Sequence, residues 1–218
     1  MRYNINFYVS TLTQIVLLVN VILYWKGNQP FRKEFRFFWC YLLLGLAVQV
    51  AAKVVALQGG NNLPLLHFYT LFEFVFLSLF YNQFLNHSER SKRNFNYFVV
   101  GISCFIILNS IIWQPLTRFN SNAKTATQII YIGYAIYYFF KAQSREDYAS
   151  SYTINLLNSG LLVYYAASLF IFMFSNVLMK LGEAHNFIWV VNTMLYLGLQ
   201  LLIFYWIWNK IFRQTKST

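Results

Sequence analysis

The sequence predicts an all-helical integral membrane protein, built as a bundle of seven transmembrane helices with its N-terminus outside and its C-terminus in the cytoplasm. Of its 218 residues, 58% are hydrophobic and only 11% are charged, whereas a soluble domain carries about 25% charged residues. Seven segments are apolar over about 20 residues, the length that a helix needs to cross the hydrocarbon core of a bilayer. A soluble enzyme or nucleic-acid-binding module is therefore excluded.

We place the seven spans near residues 5–25, 37–57, 63–85, 95–116, 125–140, 154–179 and 186–212, and we treat residues 1–218 as a single transmembrane domain. Lipid offers no partner for backbone polar groups, so each span must be a helix or belong to a closed barrel. The runs are too long and too uniformly apolar for barrel strands. Span 5 is the shortest, and because the stretch before it is polar we expect it to begin near Ala123.

Lysine and arginine are distributed unequally between the two ends of these spans, with twelve at one end and four at the other. The richer end holds Lys26, Arg32, Lys33, Arg36, Arg90, Lys92, Arg93, Lys141, Arg145, Lys210, Arg213 and Lys216. The poorer end holds Arg2, Arg118, Lys124 and Lys180. Cytoplasmic loops are enriched in these residues, so the richer end is predicted to be cytoplasmic. The six tryptophans lie near predicted span ends, the level that indole rings prefer.

Two ionisable side chains lie inside predicted spans, Lys53 in span 2 and Glu73 in span 3. Such residues are costly in lipid and indicate function by default. The turn at Gly59 and Gly60 makes the two spans antiparallel neighbours, and counting from it places Glu73 about 7.5 Å deeper than Lys53. We therefore expect the two side chains to pair. The alternatives are that Lys53 extends alone to the headgroups and that Glu73 is a purely structural buried acid.

Further polar side chains at a similar depth predict a polar cavity that faces outwards and is centred on Glu73. Asn192, Tyr196 and Gln200 form one stripe along span 7, because residues four apart share a helix face. The predicted ligand-binding residues are Glu73, Lys53, Gln49, His67, Tyr69, Thr70, Asn192 and Tyr196. The alternative for the stripe is hydrogen bonding between helices, and the alternative for His67 is a position at the membrane interface.

Other chemistries find little support in the sequence. The spans hold no paired aspartates and no serine and histidine at matching depth, so we assign no catalytic residue. A membrane enzyme that modifies lipid, with Glu73 as its general base, remains a third class of function. No Cys/His spacing indicates a metal site. The chain has no Gly-rich phosphate loop, and the lysine of span 7, Lys210, lies too near one end to hold a retinal. We expect no metal, no cofactor and no nucleic-acid partner.

Small residues indicate a close-packing face on span 2. They are Gly45, Ala47, Ala51, Ala52 and Ala56, and small residues four apart let a neighbouring helix approach closely. The neighbour is either another helix of the bundle or a second copy of the chain, which would make a homo-oligomer through span 2. Apart from the lipid bilayer, a cytoplasmic protein is a possible partner for the basic loops.

The stretch NNLPLLHFYTLFEF at residues 61–74, running on to Phe80 and Tyr81, resembles helix 3 of a family of bacterial seven-helix membrane proteins and sensor modules. In that family an outer Asn–Leu pair leads into a His–x–Tyr–x–x–x–Glu helix, and some members are fused or adjacent to histidine kinases. The resemblance covers about 20 of the 218 residues, and this sequence shows no kinase core. It implies a membrane module that senses or couples, and it identifies no ligand.

These observations together predict a receptor-like or signal-coupling protein of the bacterial inner membrane, with an outward-facing polar cavity for a small or lipidic ligand. The bacterial source follows from the abundance of Asn, Phe and Tyr, which is typical of AT-rich genomes. Two other classes remain open. One is a small-solute or ion transporter or channel subunit with Glu73 and Lys53 on the path, and the other is a structural or partner-binding membrane subunit.

Overall fold

The computed structural model describes residues 5–85, 88–143, 152–178, 180 and 183–212, and over these residues the chain is helical without a strand. The helices are α1 (Ile5–Lys26), α2 (Gln29–Glu34), α3 (Arg36–Leu57), α4 (Leu63–Leu85), α5 (Glu89–Leu108), α6 (Ser121–Gln143), α7 (Tyr152–Met173), α8 (Ser175–Leu178) and α9 (Glu183–Phe212). A π turn, Asn109–Trp113, continues α5. Arg2, Arg145, Arg213 and Lys216 of the charge count lie outside the described residues. The prediction of an all-helical fold is confirmed.

Six of the described helical segments are long and apolar enough to cross a membrane, which makes the chain an integral membrane protein. They are Ile5–Lys26, Arg36–Leu57, Leu63–Leu85, Glu89–Trp113, Ile154–Met173 and Phe187–Ile211. The helix missing from this set is α6, which has 23 residues but carries the buried polar side chains Lys124, Thr127 and Gln128. The predicted fifth span is therefore a helix. Its composition alone is not apolar enough to identify it as a membrane-spanning helix.

Each predicted span overlaps one long helix, but the bounds of two spans are wrong. The helix of span 4 begins at Glu89 rather than residue 95, and span 6 is divided into α7, which ends at Met173, and α8. Span 3 coincides with α4, while α6 begins at Ser121, slightly before the expected start at Ala123. The connection between α3 and α4 is a tight turn, in which Gly59 has a φ of +71°, a left-handed conformation that glycine adopts without strain. Leu63 then donates its backbone N–H to Asn61 Oδ1 at 3.0 Å, which caps the start of α4.

Six helices contact one another in a closed ring, in the order α1, α3, α4, α6, α7, α9 and back to α1. The helix α5 packs mainly against the outside of α4. Consecutive long helices run in opposite directions, so the bundle has two ends. We call the end where α1 begins and α3 turns into α4 the upper end, and the end where α1 finishes the lower end.

The outer surface of this bundle is apolar, unlike that of a soluble protein. Large apolar side chains face outwards, among them Val100, Ile111, Val163 and Phe170. The buried polar side chains include Asn20, Thr70, Glu73, Lys124, Gln128, Ser168 and Gln200. Several of them hold helices together, as where Gln128 Nε2 donates to Ser168 Oγ at 2.9 Å. Helices surrounded by lipid are expected to show this distribution, because polar groups find partners only inside the bundle.

An aromatic cluster fills the lower half of the ring. Trp206 of α9 is fully buried, and its ring lies 4.8 Å from that of Phe35 and 5.8 Å from that of Phe38, measured between centroids. The short helix α2 adds Phe31, 5.6 Å from Trp206. The sequence places Trp206 near the end of a span, and in the structure its ring points into the bundle. Depth along the membrane normal does not say whether a ring points outwards or inwards.

Candidate functional site

A cavity of about 680 Å³ lies in the upper half of the bundle, between α1, α3, α4, α7 and α9. Its volume is within the range of about 300–1,000 Å³ that is usual for ligand pockets. Three small residues of α3, Gly45, Ala52 and Ala56, line it and leave the space open. A Cβ on Gly45 would stand 3.3 Å from the Tyr196 hydroxyl. Part of the small-residue face of span 2 thus forms a cavity wall, whereas Ala47 is exposed on the outside of the bundle.

Polar side chains from several helices converge on this cavity, and they include five of the eight predicted ligand-binding residues. These five are Gln49, Lys53, Tyr69, Asn192 and Tyr196. The further polar residues lining it are Asn6, Ser10, Thr13, Gln14, Asn62, Tyr164 and Thr193. Among the described residues, the buried Oδ1 atom of Asn192 has no hydrogen-bond partner. A donor group on a ligand would satisfy it.

Lys53 supplies the positive charge of the cavity. Its Nζ donates to Thr11 Oγ1 at 2.9 Å and stands 4.5 Å from the centre of the Phe7 ring, so both of its contacts are with α1. The prediction that Lys53 pairs with Glu73 is wrong. Because α3 lies between α1 and α4 in the ring, the lysine reaches α1 on one side of α3, whereas Glu73 points away from it.

Glu73 forms a buried ion pair with Lys124 instead. Lys124 Nζ donates to Glu73 Oε2, and Tyr165 donates its hydroxyl to Glu73 Oε1 at 3.1 Å. Glu73 and Lys124 are 1% and 2% exposed, so the pair is sealed from solvent and lipid. It joins α4, α6 and α7. The prediction that the cavity is centred on Glu73 is wrong as well, because Glu73 is not among the residues that line it.

Two tyrosines of the cavity wall lie close to the residues of the ion pair. Tyr69 lines the cavity, and the centre of its ring is 4.9 Å from Lys124 Nζ, within the distance of a cation–π contact. Tyr164 also lines the cavity and precedes Tyr165, which hydrogen-bonds Glu73. A ligand that displaces the Tyr69 ring would therefore change a direct contact of the buried pair.

His67 and Thr70 are not brought to the cavity. His67 Nδ1 lies 2.8 Å from Ser110 Oγ and its Nε2 lies 2.9 Å from the carbonyl oxygen of Arg118. A carbonyl only accepts, so Nε2 carries the proton. Thr70 accepts a hydrogen bond from Asn120 Nδ2 at 2.8 Å. Both residues are buried, and both fasten the loop before α6 to α4.

The polar stripe of span 7 divides between two roles. Asn192 and Tyr196 line the cavity, whereas Gln200, one turn below, is fully buried. Gln200 Oε1 accepts a hydrogen bond from Asn20 Nδ2 of α1 at 3.0 Å. The deeper end of the stripe therefore joins helices, and the shallower end is open to a ligand.

Lys124 was missed because it was counted among the basic residues at the span ends rather than inside span 5. A signal for it exists in the sequence, since Lys124, Gln128 and Tyr131 recur at the spacing of one helix face. All three are buried in the structure. Following this period from the start of span 5 places a cation inside the bundle.

A second, apolar groove of about 490 Å³ lies along the seam between α7 and α9. Val163, Met194 and Leu202 line it, and Gly198 leaves it open, since no atom lies within 4 Å of a Cβ built there. Tyr164 lines both this groove and the polar cavity. One side chain thus borders a polar compartment on one side and an apolar, lipid-facing compartment on the other.

The described residues include no group of three or more His, Cys, Asp or Glu side chains that could hold a metal ion. Comparison of the chain with models of known protein families, with curated proteins and with solved structures found no match.

Proposed function

We propose that this protein is a receptor-like or signal-coupling component of a bacterial inner membrane, and that its cavity binds a small or lipidic ligand from outside. The observation that carries the proposal is the cavity itself, in which Gln49, Lys53, Tyr69, Asn192 and Tyr196 converge. Ligand pockets are typically lined by apolar side chains together with a small number of polar groups.

In this proposal all seven long helices span the membrane, with the upper end outside. The twelve lysines and arginines that the sequence assigns to one set of span ends, against four at the other set, support that orientation. The seventh span is α6, which packs between α4 and α7 in the ring. Its polar side chains find partners inside the bundle, as Lys124 does with Glu73, so lipid need not solvate them.

The lining indicates the chemistry of the ligand. Lys53 favours a negative or strongly polar group on the ligand, while the amides of Gln49 and Asn192 offer hydrogen bonds. The apolar α7–α9 groove, which shares Tyr164 with the cavity, supports a lipidic ligand with an apolar chain.

Coupling would run through the buried ion pair. A ligand touching Tyr69 changes the ring that contacts Lys124, and the pair in turn joins α4, α6 and α7. A shift of these helices would reach the basic lower end, where a cytoplasmic protein is the expected partner. The resemblance of residues 61–74 to sensor modules agrees with this role.

Transport is the alternative function. A flux assay in proteoliposomes distinguishes transport from sensing. The lower half of the ring beneath the cavity is packed by Phe35, Phe38 and Trp206, which supports a closed receptor cavity over a path through the bundle. A general-base role for Glu73 has lost its geometric support, because this carboxylate is paired with Lys124 and does not line the cavity.

Filling the cavity is expected to abolish ligand binding. Ala52 lines the cavity, so Ala52→Trp places an indole inside it. Wild-type protein purified in mild detergent is expected to carry a bound small molecule or lipid that native mass spectrometry detects, and Ala52→Trp is expected to lack it.

The matched control is Ala47→Trp, because Ala47 lies on the same helix but is exposed on the outside of the bundle. This variant is expected to keep the bound mass. Retention of the same molecule by Ala52→Trp, or its loss from both variants, would contradict a ligand site in the cavity.

A further inference from the structure

A separate cavity of about 390 Å³ lies at the lower end, between α3, α4 and α5. Three cationic side chains line it, Arg36, Lys92 and Arg93, against one carboxylate, Glu89. It shares no residue with the polar cavity of the upper half. Its volume falls within the usual range for ligand pockets, so a molecular group larger than a single ion fits inside.

The charges of this cavity are only partly compensated. Lys92 Nζ bonds Glu89 Oε1 at 2.8 Å, which leaves the two arginines as the uncompensated cations. Among the described residues, neither Arg36 nor Arg93 forms an ion pair. The guanidinium carbon of Arg36 lies 4.5 Å from the centre of the Phe37 ring, a cation–π contact that does not use the N–H donors in hydrogen bonds.

An unsatisfied amide adds a second indication of a polar ligand. Gln83 lines the same cavity, and its side-chain oxygen is buried without a hydrogen-bond partner among the described residues. Burying a polar atom without a partner costs about 1–3 kcal/mol. A ligand hydroxyl could donate to this oxygen, whereas an anion without an O–H group could not.

The depth of the cavity determines which molecules reach it. Arg36 is the first residue of α3, Lys92 and Arg93 lie in the first turns of α5, and Gln83 lies near the last turn of α4. All four are therefore at the level where a spanning helix meets the headgroups, and the bilayer places phosphates at that level.

We propose that this cavity binds the phosphate of an anionic phospholipid with a hydroxylated headgroup. Arg36 and Arg93 supply planar pairs of N–H donors that match the phosphate oxygens, and Gln83 accepts from the headgroup hydroxyl. An excess of basic residues at the cytoplasmic end follows from insertion alone. That excess does not account for a concave site with two uncompensated guanidinium groups and an orphaned amide oxygen.

Lipid titration of the full chain tests this site. Protein in a neutral detergent is titrated with short-chain phosphatidylglycerol, with the matching phosphatidylcholine and with inorganic phosphate, and binding is followed by native mass spectrometry. Phosphatidylglycerol is expected to bind saturably and at least about tenfold more tightly than phosphatidylcholine. Arg36→Gln and Arg93→Gln are each expected to weaken it by about tenfold, since each removes charge-assisted hydrogen bonds.

Arg90→Gln is the matched control, because Arg90 is an exposed residue of α5 that does not line the cavity. Its affinity is expected to stay within about twofold of wild type. If a glutamine variant fails to fold, Arg93→Lys keeps the charge, loses the planar donor pair and should still bind less tightly. The lipid site would be overturned if phosphatidylcholine bound as tightly as phosphatidylglycerol, or if Arg90→Gln weakened binding as much as Arg36→Gln. It would also be overturned if inorganic phosphate bound as tightly as phosphatidylglycerol.

Discussion

Replacing Lys124 with methionine is expected to lower the free energy of unfolding by about 3–5 kcal/mol, because the change leaves a carboxylate buried without its cation. Glu73 is only 1% exposed, and its remaining partner would be the hydroxyl of Tyr165 at 3.1 Å. One neutral hydrogen bond does not replace an ion pair at this depth. Thermal and denaturant unfolding of the purified protein in detergent measures the loss.

Lys53→Met is the control for removing a lysine from the same bundle. Lys53 is only partly buried and bonds the neutral hydroxyl of Thr11, so its loss is expected to cost about 1 kcal/mol. The double variant Lys124→Met, Glu73→Gln removes both charges and should recover part of the stability that Lys124→Met loses. Equal effects of the two lysine changes, or strictly additive effects of Lys124→Met and Glu73→Gln, would contradict the buried pair.

Truncating Trp206 to alanine is expected to destabilise the bundle by about 3–5 kcal/mol, the range for large-to-small changes in a packed core. Trp206 is fully buried, and the rings of Phe31, Phe35 and Phe38 surround it. These rings come from α2 and α3, so the cavity left behind would loosen both against α9. The shift of the thermal unfolding midpoint measures this effect.

Trp208→Ala provides a matched comparison two residues further along α9. Trp208 is 45% exposed and contacts the ring of Phe204, so its truncation removes fewer buried contacts than that of Trp206 and should cost less than about 3 kcal/mol. If the two tryptophan variants unfold at the same temperature, the aromatic cluster does not stabilise the lower half of the bundle.

The positions of the helices could be predicted because hydrophobic length alone marks a membrane-crossing helix. Leu63–Leu85 was found without error, and the other long helices were found with shifts at their ends. The segment that hydropathy identifies least clearly is α6. Hydropathy averages a whole segment, so a helix that buries Lys124 and Gln128 scores like a loop although its polar groups face inwards.

The pairing of Glu73 could not be predicted because counting residues from a turn gives depth but not rotation. Lys53 and Glu73 lie on adjacent helices, yet Lys53 contacts Thr11 of α1 and Glu73 contacts Lys124 of α6. Which neighbour a side chain faces depends on the order of helices in the ring. Nothing local in the sequence specifies that order.

The cavity was predicted better than the ion pair, because a helical stripe fixes which residues share a face. Asn192 and Tyr196 were found in this way, and both line the cavity. The contribution of α7 was missed, since Tyr164 and Tyr165 lie in an apolar run without a polar stripe. Their roles arise only from the packing of α7 against α4 and α9.

Cysteine labelling from the outside tests most directly whether an outward-facing, water-accessible cavity exists. The native Cys40 and Cys104 are first replaced by alanine, and single cysteines are then placed at Ala52 and Asn192, which line the cavity. Matched controls are Val50→Cys and Met194→Cys, on the same two helices at positions 49% and 51% exposed on the outside of the bundle.

A membrane-impermeant methanethiosulfonate reacts with the thiolate, which forms only where water reaches the sulfur. Added to the outside of intact cells, it is expected to label Ala52→Cys and Asn192→Cys and to leave both lipid-facing controls unlabelled. Labelling only from the cytoplasmic side would contradict the orientation. If neither cavity position is labelled from either side of the membrane, that result would contradict a water-accessible cavity.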